Sequence, residues 1–334
     1  MDLAWYALLG LFFASYLVLA GYDYGVGLLL ARGGTPAGRR AALTALGPFF
    51  LGNEVWLVAT VGILFGAFPV LEGELLAGCY PAVAGALAGV VLVTAGVQLR
   101  SRPDERVRAR WDRVIVVGSA LAALGWGVLL AALLQGVPRA ADGHVLGVSH
   151  LATPFAAAAG LAMLALVAVH GATFLTLRLP ADAAAVAGRT ATRLIPVALC
   201  AVALATAVGL LSERVRDAVQ RPAVAVLLPV VLVAALLAAR TALVRRRPGW
   251  ALVATGAALA LPVALVGAAL WPYVLVSTAD ADASLTVADA AASAPTLRLL
   301  GWVALPLLPA LLGFQAMCWW VFRGRTDGRA PVYW

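Results

Sequence analysis

Long apolar stretches alternate along the whole chain with short connections rich in arginine. A helix rises about 1.5 Å per residue, so about 20 apolar residues cross a hydrocarbon core roughly 30 Å thick. By that measure the pattern predicts nine spans, near residues 3–31, 41–70, 75–99, 114–134, 151–177, 194–212, 223–243, 250–273 and 298–322. The longest connection, between the last two spans, carries Asp280, Asp282 and Asp289 and is too short for a soluble domain. The expected architecture is an all-α integral membrane bundle in which residues 1–334 form a single transmembrane domain.

Composition agrees with that pattern: 63% of residues are hydrophobic and 12% charged, against about 25% charged in a typical soluble domain. Arginines then orient the bundle, because basic residues in short loops stay on the cytoplasmic side. Nineteen of the 24 basic residues, all arginine, fall in alternate connections (32–40, 100–113, 178–193, 240–247 and 323–334). Arg139, Arg214, Arg216, Arg221 and Arg298 fall on the other side. The bias predicts an amino terminus outside and a carboxyl terminus in the cytoplasm. MDLAWYALLG has no basic n-region, and the first span is expected to be retained. A net charge of +8 distributed this way reflects topology and gives no reason to expect nucleic acid. Cys79, Cys200 and Cys318 stand singly in apolar runs and read as small buried hydrophobes, without disulfide or zinc spacing. GGTPAGRR is not a phosphate loop, since no GK[ST] follows and no strand precedes it.

Two acidic residues break the membrane pattern. An ionised group at depth costs at least about 2.5–3.5 kcal/mol on insertion scales, so it faces the bundle interior and has a partner or a role. Asp23 lies in GYDYGVGLLL, roughly 12 Å from the cytoplasmic end of span one at about 1.5 Å per residue. Arg100, at the cytoplasmic end of span three, is a candidate partner; the pair would either fix helix register or handle protons. Gly21, Gly25 and Gly27 allow the close helix approach such burial requires. In GPFFLGNEVWL, Asn53 and Glu54 are adjacent mid-span and point about 100° apart, with Gly52 leaving room beside them. Glu54 reads either as a proton carrier or as a packed, protonated acid. Trp56 and His170 are candidates for contact with a partner helix or a quinone, against the commoner reading of each as core packing; for His170 a hydrogen-bonded core histidine outweighs a metal ligand. His144 and His150 read as solvated in the connection after span four. No metal site is expected in this chain.

Several stretches together resemble a known family. GYDYGVGLLL is similar to its GxDxGVGxLL, and GNEVWL follows at the expected distance. RSRPDERVRARWDRVIVVGS resembles its arginine-rich third connection leading into WDxxxxxGS. LLQGVP, HGATFL, and WPYVLVST followed by ASLTVADAAASAPTL complete an ordered series covering nearly the whole chain. The family is subunit II of cytochrome bd, a quinol-oxidising terminal oxidase of the bacterial cell membrane. The resemblance implies a heterodimer whose subunit I holds haem b and haem d, oxidises quinol at its outer face and reduces oxygen to water with cytoplasmic protons. Subunit II lacks the haem ligands, contributes a polar route from the cytoplasm, and in some members holds a quinone; a small accessory transmembrane subunit is a further expected partner. No cofactor is assigned to this chain itself. On this resemblance Asp23, Arg100, Asn53, Glu54 and Trp56 match family positions. One departs: the family carries aspartate before Gly-Asn, where this chain has Leu51 after Phe50, so a proton path here relies on Glu54 and Asp23 or lies elsewhere.

Buried carboxylates also mark proton-coupled transporters, and Asp23 with Glu54 would be the titrating pair of one. Against this, the sequence shows no pair of broken helices in corresponding halves. A pure assembly scaffold, with both acids structural, is the third reading. The orientation has a direct check: green fluorescent protein fused to the carboxyl terminus fluoresces and alkaline phosphatase fused there stays inactive, and the reverse pattern contradicts the arginine count.

Overall fold

The computed structural model describes residues 1–32, 34–100 and 105–326. Residues 101–104 of the arginine-rich connection, with Arg102, and tail residues 327–334, with Arg329, lie outside the described residues.

Among those described, nine helices are long and apolar enough to cross a membrane. They are α1 (Asp2–Leu29), α2 (Pro36–Ala67), α4 (Tyr80–Leu99), α5 (Glu105–Leu134), α6 (Pro154–Arg178), α7 (Ala181–Leu211), α9 (Pro222–Val244), α10 (Pro248–Ala269) and α12 (Ala294–Val321). Shorter helices α3 (Pro69–Gly78), α8 (Glu213–Ala218) and α11 (Val287–Ala290) lie between them. Starts follow local chemistry. Thr35 and Thr153 cap α2 and α6 by accepting from the amides of Gly38 and Ala156, both at 3.1 Å, and a proline with no amide to satisfy opens each first turn.

Several helices overrun their apolar stretch. The predicted spans 114–134 and 194–212 belong to helices that begin at Glu105 and Ala181, because arginine is a good helix former and hydropathy ends where the charges begin, not where the backbone bonds do. Between the second and third spans the chain breaks twice, at Phe68 before Pro69 and at Cys79, since the residue before a proline disfavours helical geometry and a proline sits early in each following helix.

At the predicted outer end the connections fold into a cap. The LLQGVP and WPYVLVST stretches meet there: the Val137 amide donates to the Val276 carbonyl at 3.0 Å and the Thr278 amide to the Val137 carbonyl at 2.9 Å. Strands β1 (Tyr273–Leu275) and β2 (Leu285–Thr286) pair antiparallel beside them, and Arg139 Nη1 donates to the Ala283 carbonyl at 2.6 Å.

Helix α1 is the hub, packing against α2, α5, α6 and α10, while α4 pairs with α5, α6 with α7 and α9 with α10. Helix α12 is marginal: it packs mainly on α2 and buries only 6% of its most apolar window. The closest approach is between α1 and α6. A Cβ built on Gly171 would lie 2.6 Å from the Gly25 Cα, and one on Gly25 would lie 2.7 Å from the Gly171 nitrogen and Cα. Backbone meets backbone there, so neither position has room for a side chain. Gly171→Val is therefore expected to cost about 3 kcal/mol or more, at the upper end of overpacking penalties. It should sharply lower the thermal midpoint of the detergent-solubilised protein, whereas Gly10→Ala, with nothing within 4 Å, should leave it unmoved.

Candidate functional site

The glycine crossing brings three motif stretches to one place on α1. His170, next to Gly171, has Nδ1 2.7 Å from Thr255 Oγ1 on α10 and Nε2 3.0 Å from the Val18 carbonyl. Phe174, one turn on, stacks on Tyr22 with ring centroids 4.3 Å apart. Asn53 reaches in from α2: its amide nitrogen donates to Asp23 Oδ2 at 2.9 Å and to the Leu19 carbonyl at 3.2 Å, and its oxygen accepts from the Tyr22 hydroxyl at 3.0 Å. Asp23 is 2% exposed, Asn53 fully buried. The second carboxylate oxygen, Oδ1, has no hydrogen-bond partner. The hydroxyl of Tyr24, the residue after Asp23, shares a hydrogen bond with that of Tyr16, about two turns earlier on α1.

Arg100 does not meet Asp23. Its Nε donates to Asp112 Oδ1 at 2.5 Å, and Arg39 Nε lies 3.0 Å from Asp112 Oδ2. Asp112 sits near the start of α5, level with Arg100 at the end of α4, and the two form a largely buried ion pair. Asp112 is thus a site residue that hydropathy missed, because it stands two residues before the predicted span among five arginines of the described connection. Beside it opens a cleft of about 430 Å³ lined by Leu30, Ala31, Arg39, Asp112, Arg113 and Val117, among others.

Asn53 and Glu54 serve neighbouring faces, as their spacing requires. Glu54 Oε1 accepts from the Thr94 hydroxyl on α4 at 2.5 Å and stays partly exposed. Trp56 donates to Gln315 Oε1 on α12 at 3.3 Å and packs on Phe12. Trp56 is 4% exposed and His170 1%, so both are enclosed among this chain's own helices.

His150 corrects an expectation: it is buried, not solvated. The outer connection folds over the helix ends, where Gln135 Nε2 donates to the His150 carbonyl at 2.6 Å and the Thr153 hydroxyl donates to Gln135 Oε1. Burial, and secondarily the nearby Arg214 charge, hold the His150 imidazole below its ordinary value. His144 is exposed, 3.2 Å from Glu74. A fourth polar cluster was also not foreseen: buried Arg178, at the end of α6, donates to the carbonyls of Phe322 and Gly324 and lies over the Phe49 ring, tying the chain after α12 to the bundle. A cation one residue from a predicted span end read only as a topology marker. Among the described residues no three His, Cys, Asp or Glu gather as a metal site.

The chain resembles known proteins over nearly its whole length. The profile of the family described as cytochrome bd terminal oxidase subunit II matches residues 1–322. The cytochrome bd-I ubiquinol oxidase subunit 2 of Escherichia coli (strain K12) is 31% identical over 357 aligned positions, covering 96% of this chain and 94% of that one. The cytochrome bd ubiquinol oxidase subunit 2 of Bacillus subtilis (strain 168) is 30% identical over 331, covering 98% and 97%. The solved structure of bd oxidase from Geobacillus thermodenitrificans superposes with a TM-score of 0.75 at 17% identity, over 96% of this chain and 98% of that one, which shows a shared fold.

Removing the charge of Asp112 leaves two arginines facing each other at the membrane edge. Asp112→Asn is expected to lower stability by about 3 kcal/mol, because Arg100 is left buried without its charged partner. The thermal midpoint of the solubilised protein reads this directly; an unchanged midpoint means the clasp contributes nothing.

Proposed function

This chain belongs to the cytochrome bd terminal oxidase subunit II family, and from that membership we propose that its inner polar cluster passes protons from the cytoplasm toward a haem-bearing subunit I. It is a bacterial multi-pass membrane protein and a component of a quinol oxidase complex that uses haem. The observation that carries the proton reading is Asp23: a carboxyl buried at 2% exposure, held through one oxygen by Asn53, with no cation paired to it among the described residues. A paired arginine would lock its charge. Arg100 is spent on Asp112, so Asp23 stays free to exchange a proton.

The haem does not fit this chain. Both nitrogens of His170 already have partners, His144 faces outward, and buried His150 sits in the outer cap beside Arg214. We therefore assign haem b, haem d and quinol oxidation to subunit I in a heterodimer, with residues 1–334 as one membrane domain beside it, amino terminus outside. For subunit I we propose the apolar face of α2 and α12, where Val58, Phe65, Trp302 and Leu305 stand exposed. A small accessory subunit would occupy other lipid-facing helices. For a quinone tail, the apolar cavity of about 130 Å³ lined by Leu134, Phe155, Met163, Leu232 and Leu265 offers hydrocarbon walls, whereas Trp56 and His170 do not.

Leu51, where the family resemblance implies an aspartate, is 53% exposed on that same face of α2. Glu54 stands three residues on, one turn along the same side of the helix. In this chain Glu54 takes over as the acid that meets subunit I, next in sequence to the Asn53 that holds Asp23. Glu54→Ala is expected to yield a complex with normal haem content whose oxygen consumption falls about tenfold, equivalent to about 1.4 kcal/mol on the limiting barrier. Unchanged turnover at full haem content would leave the acid a structural role only.

A further inference from the structure

The sequence WDRVIVVGS contains two polar residues, Asp112 and Ser119, that the pair and cluster described so far leave half explained. Seven residues make nearly two whole helical turns, so both lie on one face of α5, about 10 Å apart along its axis. That face looks at α1. Asp112 lines the cleft together with Leu30 and Ala31, at the end of α1 and in the turn after it. Two turns further in, the Ser119 side chain fills the hollow left by Gly27: a Cβ on Gly27 would meet Ile115 Cγ2 at 3.1 Å and Ser119 Cβ at 3.2 Å, and would overlap the Ser119 hydroxyl. Gly27 in turn lies four residues from Asp23, one turn along the same face of α1 and about 6 Å along the axis.

The three levels thus run in order from the cleft inward: Asp112, then Ser119, then Asp23. Ser119 has no solvent exposure, and its hydroxyl has no hydrogen-bond partner. Asp23 Oδ1 is the other unpartnered buried oxygen of this region. Buried polar groups are overwhelmingly bonded, and two that are not, Ser119 Oγ facing Gly27 and Asp23 Oδ1 one turn of α1 from Gly27, mark a place that exchanges partners.

We propose that Ser119 is the hydroxyl relay by which protons pass from the Asp112 cleft to Asp23. The inference rests on the proton-path reading above and names its entry. In one transfer, a protonated water at the cleft gives a proton along water to Ser119 Oγ as the Ser119 hydroxyl gives its own, directly or through one water, to Asp23 Oδ1. One proton and one positive charge leave the cleft, Asp23 becomes a neutral acid, and rotation of the hydroxyl returns Ser119 to its starting state. Gly27 is required because any side chain there would displace the relay oxygen. Arg39 and Arg100 hold the Asp112 carboxylate in place at the mouth of the cleft.

The test uses the intact complex with both subunits. Its reduced form reacts with oxygen in a single turnover while a pH-indicator dye follows proton uptake from bulk solution. Ser119→Ala is expected to assemble with normal haem absorbance and to slow the uptake phase about tenfold, with a larger solvent deuterium effect than the parent. Asp23→Asn, run in parallel, reports on the underlying reading. If Asp23→Asn slows uptake and Ser119→Ala does not, the relay is overturned and the path through Asp23 stands. If neither slows it, the path itself is overturned. Should Ser119→Ala fail to assemble, Ser119→Cys, close in size and a weak donor, reads the same phase, and parent-like uptake from it overturns the relay.

Discussion

The polar cluster around Asp23 depends on the backbone contact between Gly25 of α1 and Gly171 of α6. With no side chain at either position the two helices touch main chain to main chain, and the residues flanking the crossing are drawn to one level. His170 then reaches the Val18 carbonyl, Phe174 covers Tyr22, and Tyr22 and Asp23 are turned toward Asn53 on α2. In lipid no water compensates a stranded donor or acceptor, so a carboxyl at this depth survives only where neighbouring helices supply partners. The crossing creates that enclosure.

Charge is arranged by depth. At the predicted cytoplasmic edge Asp112 is clasped by Arg39 and Arg100 and borders an open cleft; further in, Asp23 has one amide donor and no paired cation. The ion pair of Arg100 and Asp112 thus stands at one end of the bundle, and Asp23 stands without a paired cation among the described residues. Exposed apolar residues run along α2 and α12, on the side of α2 that carries Glu54. A helix that buries so little of its apolar window within its own chain needs either lipid or a partner.

Much of this was legible from residue order. Apolar run lengths placed nine spans because hydrophobic thickness is a one-dimensional constraint, and the motif residues Asp23, Asn53 and His170 stood out because polar groups are rare there. What residue order did not carry was azimuth. Asp23 and Arg100 were matched by depth alone, whereas Arg100 projects toward Asp112 across the α4–α5 contact. Helix starts at Glu105 and Ala181 were hidden by arginines that end a hydropathy window but not a helix. His150 looked solvated because its connection is short and polar; only the cap, closed by pairing between Val137 and the distant Val276–Thr278 segment, buries it. The Asp112–Ser119 spacing was visible in the motif, but it acquires meaning only once Gly27 is seen facing Ser119.

The central claim is that Asp23 changes its protonation as the oxidase turns over. Redox-induced infrared difference spectroscopy of the intact complex tests it most directly. A protonated-carboxyl band should appear or shift between the reduced and oxidised states and vanish in Asp23→Asn while the haem signals remain. A carboxyl region identical in parent and variant would contradict the account.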